Sequence, residues 1–266
     1  MKIAVVSLNQ IWLSKADNII ECEKYIHRAS SESCELIIFP EATLTGFSPE
    51  KPLPELVDNS ETLQIFSDLS IKCNINIIFG AFLKKQESSL PYNALCLSDN
   101  FGNSLPLYNK VHLFSYSGEN KYISQGKNIV IKKIGNLNFG LSICYDLRFP
   151  EMFSIMAPNC DVMIVIANWP KERISHWNTL LKARAIENQC IMIGVNRTGV
   201  DGNGIHYPKS SIIVSPDGVT IPYHSIGDLL DIYNLDIKTV ITSRKDFSTL
   251  KDKEYDFYCN SIKNSF

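Results

Sequence analysis

Short apolar runs rich in β-branched residues recur along the chain and alternate with longer stretches of mixed character. Runs of roughly four to eight residues without polar interruptions are typical of strands that are covered on both faces. They lie at 3–8, 35–39, 75–82, 93–97, 137–143, 161–167, 191–195 and 211–215. Many of these strands are therefore expected to be buried on both faces.

Helix-length stretches separate several of these runs. The first, 17–33, repeats apolar residues such as Cys22 and Ile26 at helical spacing, behind a capping signature formed by Ser14 and Asp17. Two more helices are predicted, at 60–72 and at about 176–189. Strands that alternate with helices favour a largely parallel, helix-covered sheet.

The number of strands also constrains the architecture. Roughly ten strands would be many for one flat layer, so an α/β sandwich of two packed sheets with helices outside fits better. No fixed-period repeat, low-complexity segment or Gly/Ser-rich linker divides the chain. We therefore expect one domain over 1–266, in which 229–266 forms a peripheral arm.

Charge and hydropathy narrow the range of partners. The formal net charge is −2, from 26 basic and 28 acidic residues, and neither sign forms a long block. This balance favours neither nucleic acid nor an anionic membrane. The first apolar run is too short for a secretory signal, and no run approaches a membrane span. We expect a cytoplasmic protein that acts on small molecules.

The chain has 8 cysteines, and none is spaced as Cys-x-x-Cys. Neither a zinc ribbon nor a dithiol redox motif is therefore predicted, and most of these thiols should serve packing. Cys144 differs, because it directly follows the apolar run 137–143. A polar cluster that begins with Tyr145 and Asp146 comes after it. This position suggests a reactive thiol.

Three further strand ends deliver polar residues: Glu41, Lys110 and Asn168, the last followed by Trp169. Ligands of α/β proteins gather beyond the carboxyl ends of strands. Taken singly, each residue has a structural explanation, as a turn charge, an edge lysine or a core cysteine. Taken together they form a chemical set, since a nucleophilic thiol needs a base or a positive field, and Glu41 and Lys110 can supply them.

Three segments carry a family resemblance: "FPEATLTGF" around Glu41, "YNKVHLF" around Lys110 and "ICYDLRFPE" around Cys144. In this order they resemble the three signatures of the nitrilase, or carbon-nitrogen hydrolase, superfamily. The resemblance spans nearly the whole chain. It implies an αββα sandwich of two mixed sheets, usually paired as a homodimer, and an amidase that needs no metal or organic cofactor.

The resemblance also implies roles. Glu41 would be the general base, Cys144 the nucleophile, and Lys110 the oxyanion partner together with the backbone N–H of Tyr145. Glu119 stands where the superfamily tends to have a second glutamate, which would position the lysine and the substrate amide. The alternative for Glu119 is a surface loop charge.

The stretch 167–189 is most similar to the omega-amidase branch, which hydrolyses the terminal amide of 2-oxoglutaramate or 2-oxosuccinamate. Such substrates carry a carboxylate, which suits an arginine fork, and Arg173 is the candidate. An exposed loop arginine is its alternative. The pocket residues expected on this basis are Tyr145, Asn168, Trp169, Arg173 and His176.

Other charged residues are predicted to be structural. Arg148 lies beside Asp146 and Glu151, and Arg184 precedes Glu187 by three positions, so ion pairs are expected. Asn196 and Arg197, at a strand end, could line the pocket or brace it. The "DGNG" stretch, 201–204, is predicted to be a turn.

Three alternatives stay open. Within the superfamily, the substrate could be deaminated glutathione, a carbamoyl amino acid or a nitrile. Outside it, Cys144 could pair with His112 or His176, oriented by Asn196, in a peptidase or transferase. The third alternative is a binding protein that keeps the fold without the chemistry.

Overall fold

The computed structural model describes residues 1–265. Its strands are β1 (Lys2–Val6), β2 (Leu36–Ile38), β3 (Glu55–Leu56), β4 (Asn76–Lys84), β5 (Tyr92–Ser98), β6 (Ser104–Asn109), β7 (Ile131–Ile134), β8 (Leu137–Ile143), β9 (Val162–Ala167), β10 (Ile191–Asn196), β11 (Gly199–Val200), β12 (His206–Tyr207), β13 (Ile212–Val214), β14 (Tyr223–Ile226) and β15 (Leu230–Asn234). Its α-helices are α1 (Lys15–Ser31), α2 (Glu61–Cys73), α3 (Pro150–Met156), α4 (Ile174–Asn188), α5 (Lys238–Asp246) and α6 (Tyr255–Ser265).

The strands form two large mixed sheets. In the first, the order is β14-β15-β1-β2-β4-β5-β6, and β3 adds to β4. Its centre, β1-β2-β4, is parallel, and antiparallel strands flank it on both sides. The second sheet, β13-β10-β9-β8-β7, has the same plan around a parallel β8-β9-β10 core. A parallel core explains why the strand runs read as continuously apolar.

Alternating residues of the central strands of the first sheet pack into two different cores. On the first sheet, Val5 and Ile38 pack into a cluster shared with the second sheet and with α3 and α4. Their neighbours Val6 and Ile37 pack instead with α1 and α2. Side chains that alternate between two buried faces place each sheet between its partner sheet and a helical layer. The predicted four-layer αββα sandwich is confirmed.

Helix starts follow the sequence signals only in part. Ser60 caps α2, since its hydroxyl accepts a hydrogen bond from the Leu63 N–H at 3.1 Å. Ser14 precedes α1 as expected, but its hydroxyl donates to the Asp17 carboxylate at 2.6 Å and caps no backbone N–H. The helix position was predictable, whereas the cap geometry was not.

The expected peripheral arm starts later than predicted. Leu230–Asn234 is an interior strand, paired antiparallel with β1 on one side and with β14 on the other. β2 pairs with one edge of β1, and this strand pairs with the other edge, so both edges of β1 are hydrogen-bonded. The buried carboxylate of Asp231, which pairs with Lys209 at 2.9 Å, obscured the strand pattern. The segment outside the sheets therefore follows Asn234.

In residues 1–265, no helix combines the length and the apolar character that a membrane span requires.

Candidate active site

Cys144 stands at a sharp turn where β8 ends. Its φ is +48°, a left-handed conformation that is unfavourable for a residue with a side chain, and a 3₁₀ turn, Cys144–Arg148, follows at once. Cys144 is a partly exposed residue that lines a pocket of about 250 Å³. The nearest hydrogen-bonding contact of its Sγ is the Asn168 carbonyl oxygen, at 4.0 Å. The thiol is thus free to meet a ligand.

Glu41 follows β2 and is fully buried. The segment that carries it passes so close to β4 that a Cβ on Gly80 would lie 2.4 Å from the Ala42 nitrogen. A hydrogen bond joins this segment to β4, because the Thr43 hydroxyl accepts the Gly80 N–H at 2.9 Å. A glycine at position 80 is therefore needed to seat the glutamate.

The Glu41 carboxylate accepts three hydrogen bonds. Its Oε1 receives Lys110 Nζ at 3.0 Å and Asn93 Nδ2 at 2.8 Å. Its Oε2 receives the Asn168 backbone N–H at 2.9 Å. Donors from three different strands and strand ends fix both oxygens, so the orientation of the carboxylate is set before any substrate arrives.

Lys110 lies between two carboxylates. Besides Glu41, its Nζ lies 3.0 Å from Oε2 of Glu119, and the three side chains are inaccessible to solvent. Oε2 of Glu119 also accepts the Phe114 N–H at 2.7 Å. Glu119 is therefore no surface charge. Burial alone would lower the pKa of Lys110, but the charges of Glu119 and Glu41 outweigh it and raise the pKa above its ordinary value.

The same charges act on the thiol. Burial raises the pKa of Cys144 well above its ordinary value, the Glu41 carboxylate raises it further, and Lys110 opposes both. The expected positive field is thus largely offset by the two carboxylates that hold the lysine. A thiol with a raised pKa needs a base at the moment of attack.

Asn93, which no sequence pattern indicated, joins the two carboxylates. It is fully buried on β5, and its Nδ2 donates to Glu41 at 2.8 Å and to Glu119 at 3.1 Å. Its backbone oxygen also accepts the Lys110 N–H. In the sequence it is only the polar first residue of an apolar run, so no local pattern distinguished it.

The structure brings most of the predicted pocket residues together. Four of the five line the pocket: Tyr145, Asn168, Trp169 and Arg173. His176 is absent from the lining and solvent-exposed, and its Nδ1 lies 3.3 Å from the Arg148 guanidinium. It stands in the first turns of α4, whose inward face carries Trp177. Its expected contact with substrate is therefore replaced by a contact with Arg148.

The predicted ion pair of Arg148 is wrong, because its guanidinium pairs with neither Asp146 nor Glu151. Its guanidinium stacks over the Trp169 ring, 4.7 Å from the ring centre, and lines the pocket. Burial lowers the pKa of Arg148, and the nearby charge of Arg173 adds to this effect. Within residues 1–265, neither guanidinium pairs with a carboxylate. Two guanidiniums without a carboxylate partner therefore lie in the pocket wall.

The remaining polar predictions concern bracing. Asn196 accepts the Trp169 N–H at 2.7 Å and donates to its carbonyl at 2.9 Å. Arg197 is buried and donates to the Gln10 carbonyl at 3.1 Å. The ion pair of Arg184 with Glu187 is confirmed, at 3.0 Å. Asn196 and Arg197 therefore brace the pocket from behind.

The 201–204 stretch is a turn between β11 and β12, as predicted. The Asp201 carboxylate accepts the N–H groups of Asn203 and Ile205 and, at 2.9 Å, the Tyr207 hydroxyl. These four residues line the pocket. These hydrogen bonds fix the conformation of the turn, which forms one wall of the pocket.

No Cys-His pair is assembled. His112 Nδ1 is held by Asp146 at 2.8 Å, and His176 contacts Arg148. The charged side chains with the largest effects on the pKa of Cys144 are Glu41, Lys110 and Glu119. No cluster of three His, Cys, Asp or Glu side chains among residues 1–265 could hold a metal ion. The arrangement suits acyl transfer to sulfur with a carboxylate as the proton carrier.

Comparison with known proteins supports this assignment. A family model described as carbon-nitrogen hydrolase matches residues 2–240. An omega-amidase of Escherichia coli is 30% identical over 221 residues, which cover 83% of this chain and 84% of that protein. A deaminated glutathione amidase of Dictyostelium discoideum is 28% identical and covers 97% and 96%. The crystal structure of a superfamily protein from Xanthomonas campestris, with an arsenic adduct in its active site, has a TM-score of 0.88 at 26% identity, covering 96% of this chain and 97% of that one.

Proposed function

Given that this chain belongs to the carbon-nitrogen hydrolase family and hydrolyses amides, we propose that its substrate is a small 2-oxo dicarboxylic acid monoamide, 2-oxoglutaramate or 2-oxosuccinamate. The observation that carries the substrate class is the pair of guanidiniums, Arg148 and Arg173, in the wall of the pocket that contains Cys144. The similarity to an omega-amidase supports the same choice.

The first half-reaction forms a thioester. As Cys144 Sγ attacks the amide carbonyl carbon, Glu41 takes the thiol proton. Lys110 Nζ and the Tyr145 backbone N–H stabilise the negative charge that develops on the carbonyl oxygen. The tetrahedral intermediate then collapses, the C–N bond breaks, and protonated Glu41 gives its proton to the departing ammonia.

The second half-reaction regenerates the thiol. Glu41, again a carboxylate, accepts a proton from water as the water oxygen attacks the thioester carbonyl. The C–S bond breaks, the proton returns from Glu41 to sulfur, and the acid product leaves. One carboxyl group thus serves as base, acid and base again, which agrees with a Cys144 thiol whose pKa is raised in the resting enzyme.

Glu119 and Asn93 hold these groups in place. Glu119 lies 3.0 Å from Lys110 Nζ, and Asn93 donates to both carboxylates. Groups fixed before substrate binds need no reorganisation in the transition state, and this is the main source of electrostatic catalysis.

The two arginines give the site its selectivity. A guanidinium presents a planar fork of donors that matches a carboxylate. Arg148 is supported by its stacking on Trp169 and by His176, and Arg173 stacks over Phe114 with its charge 5.6 Å from the ring centre. A substrate carboxylate would give these two guanidiniums the carboxylate partner that neither has within residues 1–265.

A substrate panel tests the proposal. Ammonia release would be measured from 2-oxoglutaramate, 2-oxosuccinamate, glutamine, deaminated glutathione, a carbamoyl amino acid, a nitrile and butanamide, which lacks the carboxylate. Cys144→Ala is the blank. We expect the highest kcat/KM for an oxo-acid amide and a much lower value for butanamide. A preference for deaminated glutathione, a carbamoyl compound or a nitrile would contradict the substrate assignment while leaving the chemistry in place.

A further inference from the structure

Asp146 is a fully buried carboxylate, two residues after Cys144, that the proposed proton transfers do not use. Its Oδ2 accepts the Tyr108 hydroxyl at 2.7 Å and the Ile143 N–H at 2.9 Å. Its Oδ1 accepts the His112 N–H at 2.9 Å and His112 Nδ1 at 2.8 Å. Four hydrogen bonds therefore converge on one side chain.

These partners belong to the two segments that carry the reacting groups. Tyr108 and His112 flank Lys110 at two residues on either side, at the end of β6 in the first sheet. Ile143 immediately precedes Cys144, at the end of β8 in the second sheet. The Asp146 carboxylate thus ties the lysine-bearing strand end to the cysteine-bearing turn across the sandwich.

The cysteine turn needs such a tie. Cys144 has a φ of +48°, and a strained backbone conformation persists only where its surroundings hold it. The Ile143 N–H bond to Asp146 fixes the turn from within, and the bonds from Tyr108 and His112 fix it against the other sheet.

We propose that Asp146 is a positioning residue that sets the separation of Lys110 Nζ and Cys144 Sγ, and that Tyr108 and His112 act through it. The two atoms must meet around one substrate carbonyl, the sulfur at carbon and the ammonium at oxygen. An error of about 1 Å in such an arrangement can reduce the rate roughly 10²-fold. The proposal holds for any amide that the enzyme hydrolyses.

The tie also gives His112 a role. Its Nδ1 is committed to Asp146, and its ring stacks on Phe149 with centroids 3.8 Å apart. This histidine, two residues from Lys110, therefore anchors the turn through its hydrogen bond to Asp146.

Tyr108→Phe provides the first test, with Tyr233→Phe as its matched control. Both tyrosines are buried in the first sheet, but the Tyr233 hydroxyl has no hydrogen-bond partner within residues 1–265. We expect Tyr108→Phe to lower kcat roughly tenfold, to leave KM nearly unchanged, and to slow the alkylation of Cys144 by iodoacetamide to a similar degree. Tyr233→Phe should change none of the three quantities.

His112 provides the second test, with rescue by a conservative variant. His112→Ala removes the donor to Asp146 Oδ1, whereas His112→Asn places an amide N–H near the position of Nδ1. We expect His112→Ala to lower kcat and His112→Asn to restore most of it. A fall in melting temperature alone would indicate a purely structural role.

The proposal is overturned if Tyr108→Phe and His112→Ala keep the kcat and the Cys144 alkylation rate of the unmodified enzyme. Alkylation is followed on the Cys144 peptide by mass spectrometry, because Cys259 is also exposed. This readout needs no substrate, so it decides the positioning role even if the substrate proposed above is wrong.

Discussion

Lys110 Nζ lies 3.0 Å from Oε1 of Glu41, and neither side chain is accessible to solvent. The proposed base and the cation beside it are therefore paired before substrate arrives. A second carboxylate, that of Glu119, completes the set. Burial and the two carboxylates raise the pKa of the Cys144 thiol, and Lys110 opposes them. In the proposed mechanism, catalysis depends on proton transfer to Glu41 during the attack, and the following predictions test this dependence.

Glu41→Gln should abolish most of the activity while the protein stays folded. Glutamine keeps the size of the side chain and an oxygen for the Lys110 and Asn93 donors, but it cannot take a proton. Loss of a general acid-base group reduces kcat by about 10² to 10⁴-fold. Steady-state ammonia release measures the effect, with exposed Glu87→Gln as the control. A Glu41→Gln enzyme with more than about a tenth of the activity would be incompatible with the mechanism.

The same substitution should lower the pKa of the Cys144 thiol, even though it removes most of the activity. The Glu41 charge raises the pKa of Cys144, so its removal should lower that pKa and move thiolate formation to lower pH. The thiolate absorbance in the ultraviolet, corrected with Cys144→Ala in each background, measures the titration. An unchanged or higher midpoint in Glu41→Gln would show that the carboxylate does not act on the sulfur.

Lys110→Met should destabilise the protein as well as inactivate it. The substitution leaves the carboxylates of Glu41 and Glu119 buried without the cation between them. Removing one partner of a buried ionic cluster costs about 3–5 kcal/mol of the free energy of unfolding. Urea unfolding measures the loss, and the exposed Lys171→Met should change stability by less than about 0.5 kcal/mol. Equal stability of the two variants would refute the interpretation of a buried ionic cluster.

Arg173→Met should weaken the binding of carboxylate substrates selectively. A hydrogen bond to a charged group contributes about 1.5–3 kcal/mol, so KM for 2-oxoglutaramate should rise roughly 10- to 150-fold. The kinetics with butanamide should not change, because it has no carboxylate for the arginine to bind. Exposed Arg28→Met serves as the control. If KM rose equally for both amides, Arg173 would shape the pocket without recognising the carboxylate.

The site residues that a short stretch of sequence marks were predictable, and those defined only by distant partners were not. Glu41, Lys110 and Cys144 each end a strand, so the strand pattern together with the family motifs indicated all three. Asn93 gave no local signal, because its partners lie 52 and 26 residues away. The fold showed the same limit at β15, where the buried carboxylate of Asp231 interrupts the apolar pattern.

Arg148 shows why neighbours in sequence can mislead. It follows Asp146 by two positions, which suggested an ion pair. In the structure, Tyr108, 38 residues away, takes one oxygen of that carboxylate, and His112 takes the other. Arg148 then turns to Trp169 and into the pocket. The packing of the two sheets determines which groups bind Asp146, and a short stretch of sequence does not show that packing.

Acid quenching during turnover tests the central claim most directly. The enzyme would be mixed with its best amide substrate, quenched within one turnover and digested, and the Cys144 peptide would be weighed by mass spectrometry. The account predicts an acyl group on Cys144 that is absent from Cys144→Ala, which should release no ammonia. Ammonia release by Cys144→Ala, or an acyl group carried on a different residue, would contradict it.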